Sequence, residues 1–217
     1  MAQIFHPSMN VISKLSIVGV VSAVPVVGVA AYFTNYNYAH QMKIPHEQPV
    51  PFSHKHHVGD DGIDCRYCHT TVDRSASAGM PSTYTCMTCH SQIWDDSPLL
   101  EPVRESFRTG RPLQWRRVHD LPDFAHFNHS IHVKKGVGCV SCHGRIDEMP
   151  LVWKEKPLTM EWCINCHRNP EKAIVPREHV YDLAYKAPDR EARGKALLEE
   201  YHILSSFQIT NCSTCHH

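Results

Sequence analysis

Five times the chain places two cysteines three positions apart with a histidine directly after the second: Cys65–Cys68–His69, Cys86–Cys89–His90, Cys139–Cys142–His143, Cys163–Cys166–His167 and Cys212–Cys215–His216. The ten cysteines are thereby all used. Two thiols at this spacing can add across the two vinyl groups of one haem. The adjoining imidazole then reaches beneath the ring as an axial ligand of iron, the arrangement of c-type haem attachment. The spacing predicts five covalently held haems, with His69, His90, His143, His167 and His216 as proximal ligands. Zinc explains less. The interval from Cys65 to Cys89 fits a zinc ribbon, but five pairs do not divide among four-cysteine sites, and zinc gives no role to a histidine after every pair. A disulfide framework leaves the same five histidines unexplained. A thioredoxin-like motif occurs once beside a βαβ pattern, not five times.

Eighteen histidines are present, so thirteen remain for the opposite faces of the irons. Phe52-Ser53-His54-Lys55-His56-His57 and Phe127-Asn128-His129-Ser130-Ile131-His132 share the pattern F-x-H-x-x-H. Histidines three apart project from one side of a helical turn and can reach two different irons. His54, His57, His129 and His132 are therefore the expected distal ligands. For the fifth, His119 is the choice, with Met149, Met80, Met160 and His202 as competitors; a methionine ligand would raise that haem's potential. His56 and His126, beside the preferred positions, are read as solvent or propionate contacts. His6, His40, His46, His179 and His217 are read as having no ligand role. Irons with two protein ligands have no open position, which points to electron transfer and to no catalytic residue. No H-E-x-x-H, G-x-S-x-G or phosphate loop is present.

The elements that must position these residues begin with an anchor. Residues 15–33, LSIVGVVSAVPVVGVAAYF, carry no charge, and as a helix they reach about 28 Å, close to hydrocarbon thickness. Lys14 precedes the run, and Tyr32, Tyr36 and Tyr38 follow as interfacial aromatics do; Ser22 and Pro25 are tolerated within it. A cleaved signal peptide with small residues at Ala30 and Ala31 is the competing reading, and length favours the anchor. Residues 1–14 are then a cytoplasmic stub and 34–51, with Pro45, Pro49 and Pro51, an extended linker. Residues 52–217 are the haem domain. Haem attachment of this kind takes place outside the cytoplasmic membrane, so the domain is expected on the outer, periplasmic face of a single-pass protein.

Within 52–217 the two F-x-H-x-x-H copies head two dihaem modules, near 52–90 and 127–167, and a fifth haem follows at 212–216. The helix candidate DREARGKALLEEYHILSSF begins at Asp189, a capping residue, and sets Leu197, Leu198, Tyr201 and Leu204 on one face. Strand patterns are scarce. The expected fold is mainly α and irregular: one transmembrane helix, then loops and short helices wrapped around five porphyrins that serve as the core. Lys+Arg and Asp+Glu balance at 22 each, which excludes an electrostatic nucleic-acid binder.

The run FNHSIHVKKGVGCVSCHGRIDEMPLVWKEKPLTMEWCINCHRNP at 127–170 resembles the pentahaem cytochrome subunit of bacterial alternative complex III, as do RVHDLPDF at 117–124 and GMPSTYTCMTCHSQIW at 79–94. The resemblance implies a subunit of a quinol:electron-acceptor oxidoreductase. Its partners would be an iron–sulfur subunit, polytopic quinol-oxidising membrane subunits, and a monohaem cytochrome c or other periplasmic acceptor. An anchored quinol dehydrogenase of nitrate and nitrite respiration is an alternative, though such proteins typically bear four haems. A pentahaem nitrite reductase would need a C-x-x-C-K haem, which is absent. A stand-alone wire or electron reservoir is the remaining alternative.

Overall fold

The computed structural model describes residues 4–216 apart from the Tyr38 side chain; the expectations on Tyr38 and His217 lie outside the described residues. The chain divides after Met42 into two compact units. In the first, helix α1 spans Ser8–Ala39 and contains Pro25. Thirty-two residues extend it to about 48 Å, well past the charge-free run on both sides, because Thr34, Asn35 and Asn37 continue the helix instead of opening the linker. Its apolar side chains are exposed, and it is long and apolar enough to cross a membrane. At its end the rings of Tyr32 and Tyr36 lie 6.2 Å apart and those of Tyr36 and His40 4.5 Å apart, one helical turn between each.

The second unit, Lys43–His217, is helical and irregular; among the described residues its β-structure is a single bridge between Val137 and Ile174. Five short helices carry the cysteine motifs: α2 (Cys65–Cys68), α3 (Thr83–His90), α6 (Val140–His143), α7 (Met160–Arg168) and α10 (Cys212–Cys215). Between them run α4 (Glu101–Thr109), α5 (His129–Lys134), α8 (Arg190–Glu200) and α9 (Ser206–Ile209). Helices this short are not stable on propensity alone, and side-chain caps mark where several begin. Asp64, Asn128, Thr159 and Asn211 accept N–H groups at the starts of α2, α5, α7 and α10, and Ser205 with Gln208 forms a capping box on α9.

The loop expectations change in two places. Residues 43–51 are tied down: Lys43 N–H donates to Lys154 O at 2.9 Å, the Gln48 amide exchanges two hydrogen bonds with the Arg116 backbone, and Val50 is buried. The 91–126 connection contains α4, which docks on α3 through Ser106; its hydroxyl lies 2.7 Å from Thr83 Oγ1 and donates to Arg111 O.

A small apolar cluster closes the carboxyl-terminal half. Ile174, Leu197 and Tyr201 are buried together, with Val137, Leu198 and Ile203 against them. Arg177 stacks over the Tyr201 ring at 4.1 Å, and its backbone N–H donates to the Tyr201 hydroxyl. Leu197, Leu198 and Tyr201 thus share a face as expected, but Leu204 does not join them and is 59% exposed, because α8 ends at Glu200 and the chain turns at His202 with φ 50°. Asp189 does sit at the cap position, yet in a left-handed conformation without a capping bond. Helix α8 approaches the 3-10 turn Pro170–Lys172 so closely that a Cβ on Gly194 would lie 2.1 Å from Glu171 O. Gly194→Ala should therefore cost about 1–3 kcal/mol through forced displacement; a lowered thermal midpoint with unchanged visible spectra is the expected result.

Candidate haem sites

Each cysteine pair is set by a helical turn that puts residues i and i+3 on one side. His69 N–H donates to Cys65 O at 2.9 Å, His143 to Cys139 O at 3.0 Å and His216 to Cys212 O at 2.9 Å, so the imidazole follows the pair in a fixed relation. The ten thiols are free of disulfides. Among the described residues no three Cys, His, Asp or Glu side chains converge as a zinc site requires.

The two F-x-H-x-x-H copies are built alike from different backbone. His54 begins a π-helical turn, Lys55–Asp60, whereas His129 begins α5. In both, the second histidine donates from Nδ1 to the carbonyl four residues earlier: His57 to Ser53 O at 2.8 Å and His132 to Asn128 O at 2.7 Å. In both, the phenylalanine lies flat against the second ring and edge-on to the first. Phe52 stacks on His57 at 4.4 Å and meets His54 at 85°; Phe127 stacks on His132 at 4.6 Å and meets His129 at 88°. The phenylalanine is a functional part of the pattern that spacing alone left without a role.

These histidines face the motif histidines across a recurring gap. The ring centres of His54 and His69 are 6.5 Å apart, of His57 and His90 6.1 Å, of His129 and His143 6.4 Å, and of His132 and His167 6.2 Å. A metal–imidazole nitrogen bond is about 2.0 Å, and a ring centre lies about 1.1 Å behind its nitrogen, so two rings on opposite sides of one metal stand about 6 Å apart. All four pairs fit. The structure thus brings together eight of the expected ligands, each distal candidate with a different motif. Ring planes range from parallel in the first pair, at 1°, to steeply crossed in the second, at 69°.

Hydrogen bonds fix which nitrogen is available. His69 Nδ1 donates to Gly79 O, His90 to Ile93 O, His167 to Ile209 O, His216 to Phe124 O and His129 to Ala76 O, all at 2.7–2.9 Å. A carbonyl only accepts, so each Nδ1 carries the proton and each Nε2 keeps its lone pair for a metal. His54 and His143 lack such a partner at Nδ1. Burial is the main reason that His54 is pushed down to about 4 and His143 to about 3, which keeps both rings neutral, as ligation requires.

The thiols follow a spatial order different from the chain order. Burial raises Cys68, and the nearby Cys86, Cys65 and Cys89 add to it. Burial pushes Cys139 up to about 12, with Cys65 close by, and Cys142 up to about 12, with Cys166 close by. Cys163 is raised by burial and by Cys215. The motifs therefore neighbour one another as second, first, third, fourth, fifth.

His119 departs from expectation. Its ring lies 4.4 Å from that of His143 at 67°, and among the described residues no ring contact joins it to His216. Burial, with Lys154 and His129 nearby, pushes it down to about 4. The fifth motif is clasped instead by the 124–126 segment: Phe124 O accepts from His216 Nδ1, and His126 N–H donates to Cys215 O at 2.8 Å. Of the competing ligands, Met149 is buried with its carbonyl bonded to Lys55 N–H, Met80 and Met160 are exposed, and His202 is exposed on a turn. His56 stacks on Trp94, and His179 on Tyr185.

Residues 125–217 match the family described as cytochrome c7 and related cytochrome c, and residues 31–103 match the class III cytochrome c family. The two matches contain the second and first F-x-H-x-x-H copies respectively. Over 98 residues the chain is 38% identical to a protein of Nitratidesulfovibrio vulgaris (strain Hildenborough) named "Menaquinone reductase, multiheme cytochrome c subunit". That alignment takes in 45% of this chain and 46% of the relative, less than half the length of each. With its paired imidazoles and cysteine motifs, the chain is a multihaem c-type cytochrome whose cysteines hold haem covalently.

Proposed function

We propose that the chain binds five c-type haems and conducts electrons as the membrane-anchored cytochrome subunit of a quinol:electron-acceptor oxidoreductase of the alternative complex III type. The observation that carries this reading is the set of four imidazole pairs about 6 Å apart, each joining an F-x-H-x-x-H histidine to a different cysteine motif. Cys65 and Cys68, with His69 and His54, would hold the first haem, and Cys86 and Cys89, with His90 and His57, the second. Cys139 and Cys142, with His143 and His129, would hold the third, and Cys163 and Cys166, with His167 and His132, the fourth. Cys212 and Cys215 hold the fifth on His216.

When bound, haem iron supplies a one-electron ferric–ferrous couple. The chain's residues ligate, orient and shield it. Paired imidazoles would hold four of the irons and keep water and small substrates off them. The carbonyls at Nδ1 fix the rings and raise their basicity. Phe52 and Phe127 hold two ring faces each. Helix α1 anchors the haem domain on the outer face of the membrane. There it passes electrons from polytopic quinol-oxidising and iron–sulfur subunits to a monohaem cytochrome c or similar acceptor. The likeness of residues 127–170 to that family's cytochrome subunit supports this placement.

The name of the N. vulgaris relative favours a second reading, in which the same haem chain delivers electrons toward menaquinone. Haem staining of a native gel of detergent-solubilised source membranes, with mass spectrometry of the band, tests both. A large band with iron–sulfur and polytopic partners is expected, its haems reduced by added menaquinol alone. Haems that instead reduce added menaquinone would favour the second reading. A small band holding this chain alone would overturn the complex.

Ring-plane angles give a spectroscopic test. Crossed imidazole planes leave two iron d orbitals nearly degenerate and yield a strongly anisotropic low-spin EPR signal; parallel planes separate those orbitals and yield a rhombic one. The ferric protein should show both, and His57→Ala should convert the anisotropic component to high spin while sparing the rhombic one. Conversion of the rhombic component would place His57 on another iron.

A further inference from the structure

Two cations near the third cysteine motif have no acidic partner. Among the described residues neither the Arg116 guanidinium nor the Lys154 ammonium forms an ion pair or a side-chain hydrogen bond, whereas Arg66 and Arg145 each meet a carboxylate at 2.7 Å. The segments that carry the two cations are tied to one stretch of chain. Gln48 exchanges two hydrogen bonds with the Arg116 backbone, both at 2.9 Å, and Lys43 N–H donates to Lys154 O at 2.9 Å. His46 lies between those two tethers in the chain, and its ring registers both charges: burial lowers its pKa, and Arg116 and then Lys154 lower it further. The acid next to Lys154 in the chain, Glu155, is already engaged. Lys43 Nζ stands 3.6 Å from one of its oxygens, and Trp153 Nε1 donates to the other at 3.1 Å.

Both segments also reach the third motif. His119 follows Arg116 by three residues, and its ring meets that of His143 at 4.4 Å. Lys154 is the charge that acts most on His119 after burial. Glu155 packs so close to Gly144, the residue after His143, that a Cβ there would lie 2.7 Å from its Cγ. The cysteine edge has other neighbours: Cys139 stands near Cys65 and Asp64, and Cys142 near Cys166, Cys163 and Lys156. A c-type haem is joined to its cysteines at the two vinyl positions and carries its propionates on the opposite edge. A haem on Cys139 and Cys142 therefore turns two carboxylates away from that set of neighbours, and carboxylates drawn out of water call for cations.

We propose that Arg116 and Lys154 form the propionate site of the third haem, the guanidinium and the ammonium donating charge-assisted hydrogen bonds to its carboxylates. The proposal rests on the reading of Cys139, Cys142 and His143 as the site of that haem. Arginine offers paired N–H groups matched to a carboxylate, and lysine a compact charge. Two cations at the haem edge disfavour the ferric state and raise the potential. They also keep the carboxylates ionised. Because Lys43 and Gln48 hold the backbones of both cations, the segment that follows the anchor helix sets this site.

The test compares the full-length, haem-loaded protein with Arg116→Gln, Lys154→Gln and the double variant, by peptide mass spectrometry, EPR and potentiometric titration across the neutral pH range. Lys156→Gln removes the same charge from the cysteine edge and is the control. R116Q and K154Q should keep every haem attached with unchanged EPR signals, and each should lower one midpoint potential, by more than K156Q does. In the double variant that potential should also fall more steeply with rising pH than in the wild type, as a carboxylate released from its cations titrates. Unchanged potentials in the double variant would overturn the proposal. So would an effect of K156Q as large as those of R116Q and K154Q, the mark of charge acting at a distance. Should the double variant fail to accumulate, R116Q set against Arg116→Lys carries the same test, since R116K keeps the charge and should return the potential toward the wild-type value. If the wild-type peptides show no haem on Cys139 and Cys142, it is the reading of that motif that fails, and the propionate site with it.

Discussion

Two imidazoles facing each other across 6 Å have almost no attraction of their own, whereas a metal between them ties together segments far apart in the chain. Under the proposed ligation, the haem domain is organised around that bond. His54 meets His69, His57 meets His90, His129 meets His143 and His132 meets His167, and each junction closes a loop whose ends would otherwise be entropically costly to hold. Between junctions the chain needs only short capped helices and turns, and that is what it has.

The apolar contribution is correspondingly small. Among the described residues eleven hydrophobic side chains are buried, and the one compact cluster, around Ile174, Leu197 and Tyr201, serves the carboxyl-terminal half alone. A core of this size would leave a unit of this length marginal. Covalent haem supplies flat apolar area and fixed attachment together, so the sequence spends its residues on ligands, thiols and caps. Phe52 and Phe127 belong to the same economy, since one ring packs two histidines and removes their freedom to rotate.

What the sequence made legible was the part governed by local spacing. C-x-x-C-H and F-x-H-x-x-H each act within one helical turn, so the residues that would face a haem could be named before any tertiary contact was known. The helix at 190–200 was legible for the same reason, through Leu197 and Tyr201. Less legible was whatever depends on the path of a distant segment. The carbonyls that fix ring nitrogens, of Gly79, Ala76 and Phe124 in loops and of Ile209 at the end of α9, have no side-chain signature. His119 looked like a fifth ligand because it stands between the modules, but its segment brings it to His143. Leu204 fits the apolar stripe of α8 and falls beyond its end.

The order of parts along the chain has a consequence for assembly. In each module the two distal histidines precede both cysteine motifs they face, and the 124–126 segment likewise precedes the motif at 212–216 that it clasps. A chain synthesised amino end first therefore presents these imidazoles before the thiols arrive. Under the proposed ligation, four of the haems, once attached to their cysteines, would meet a second imidazole already in place, and the domain would close like a zip from its amino-terminal side.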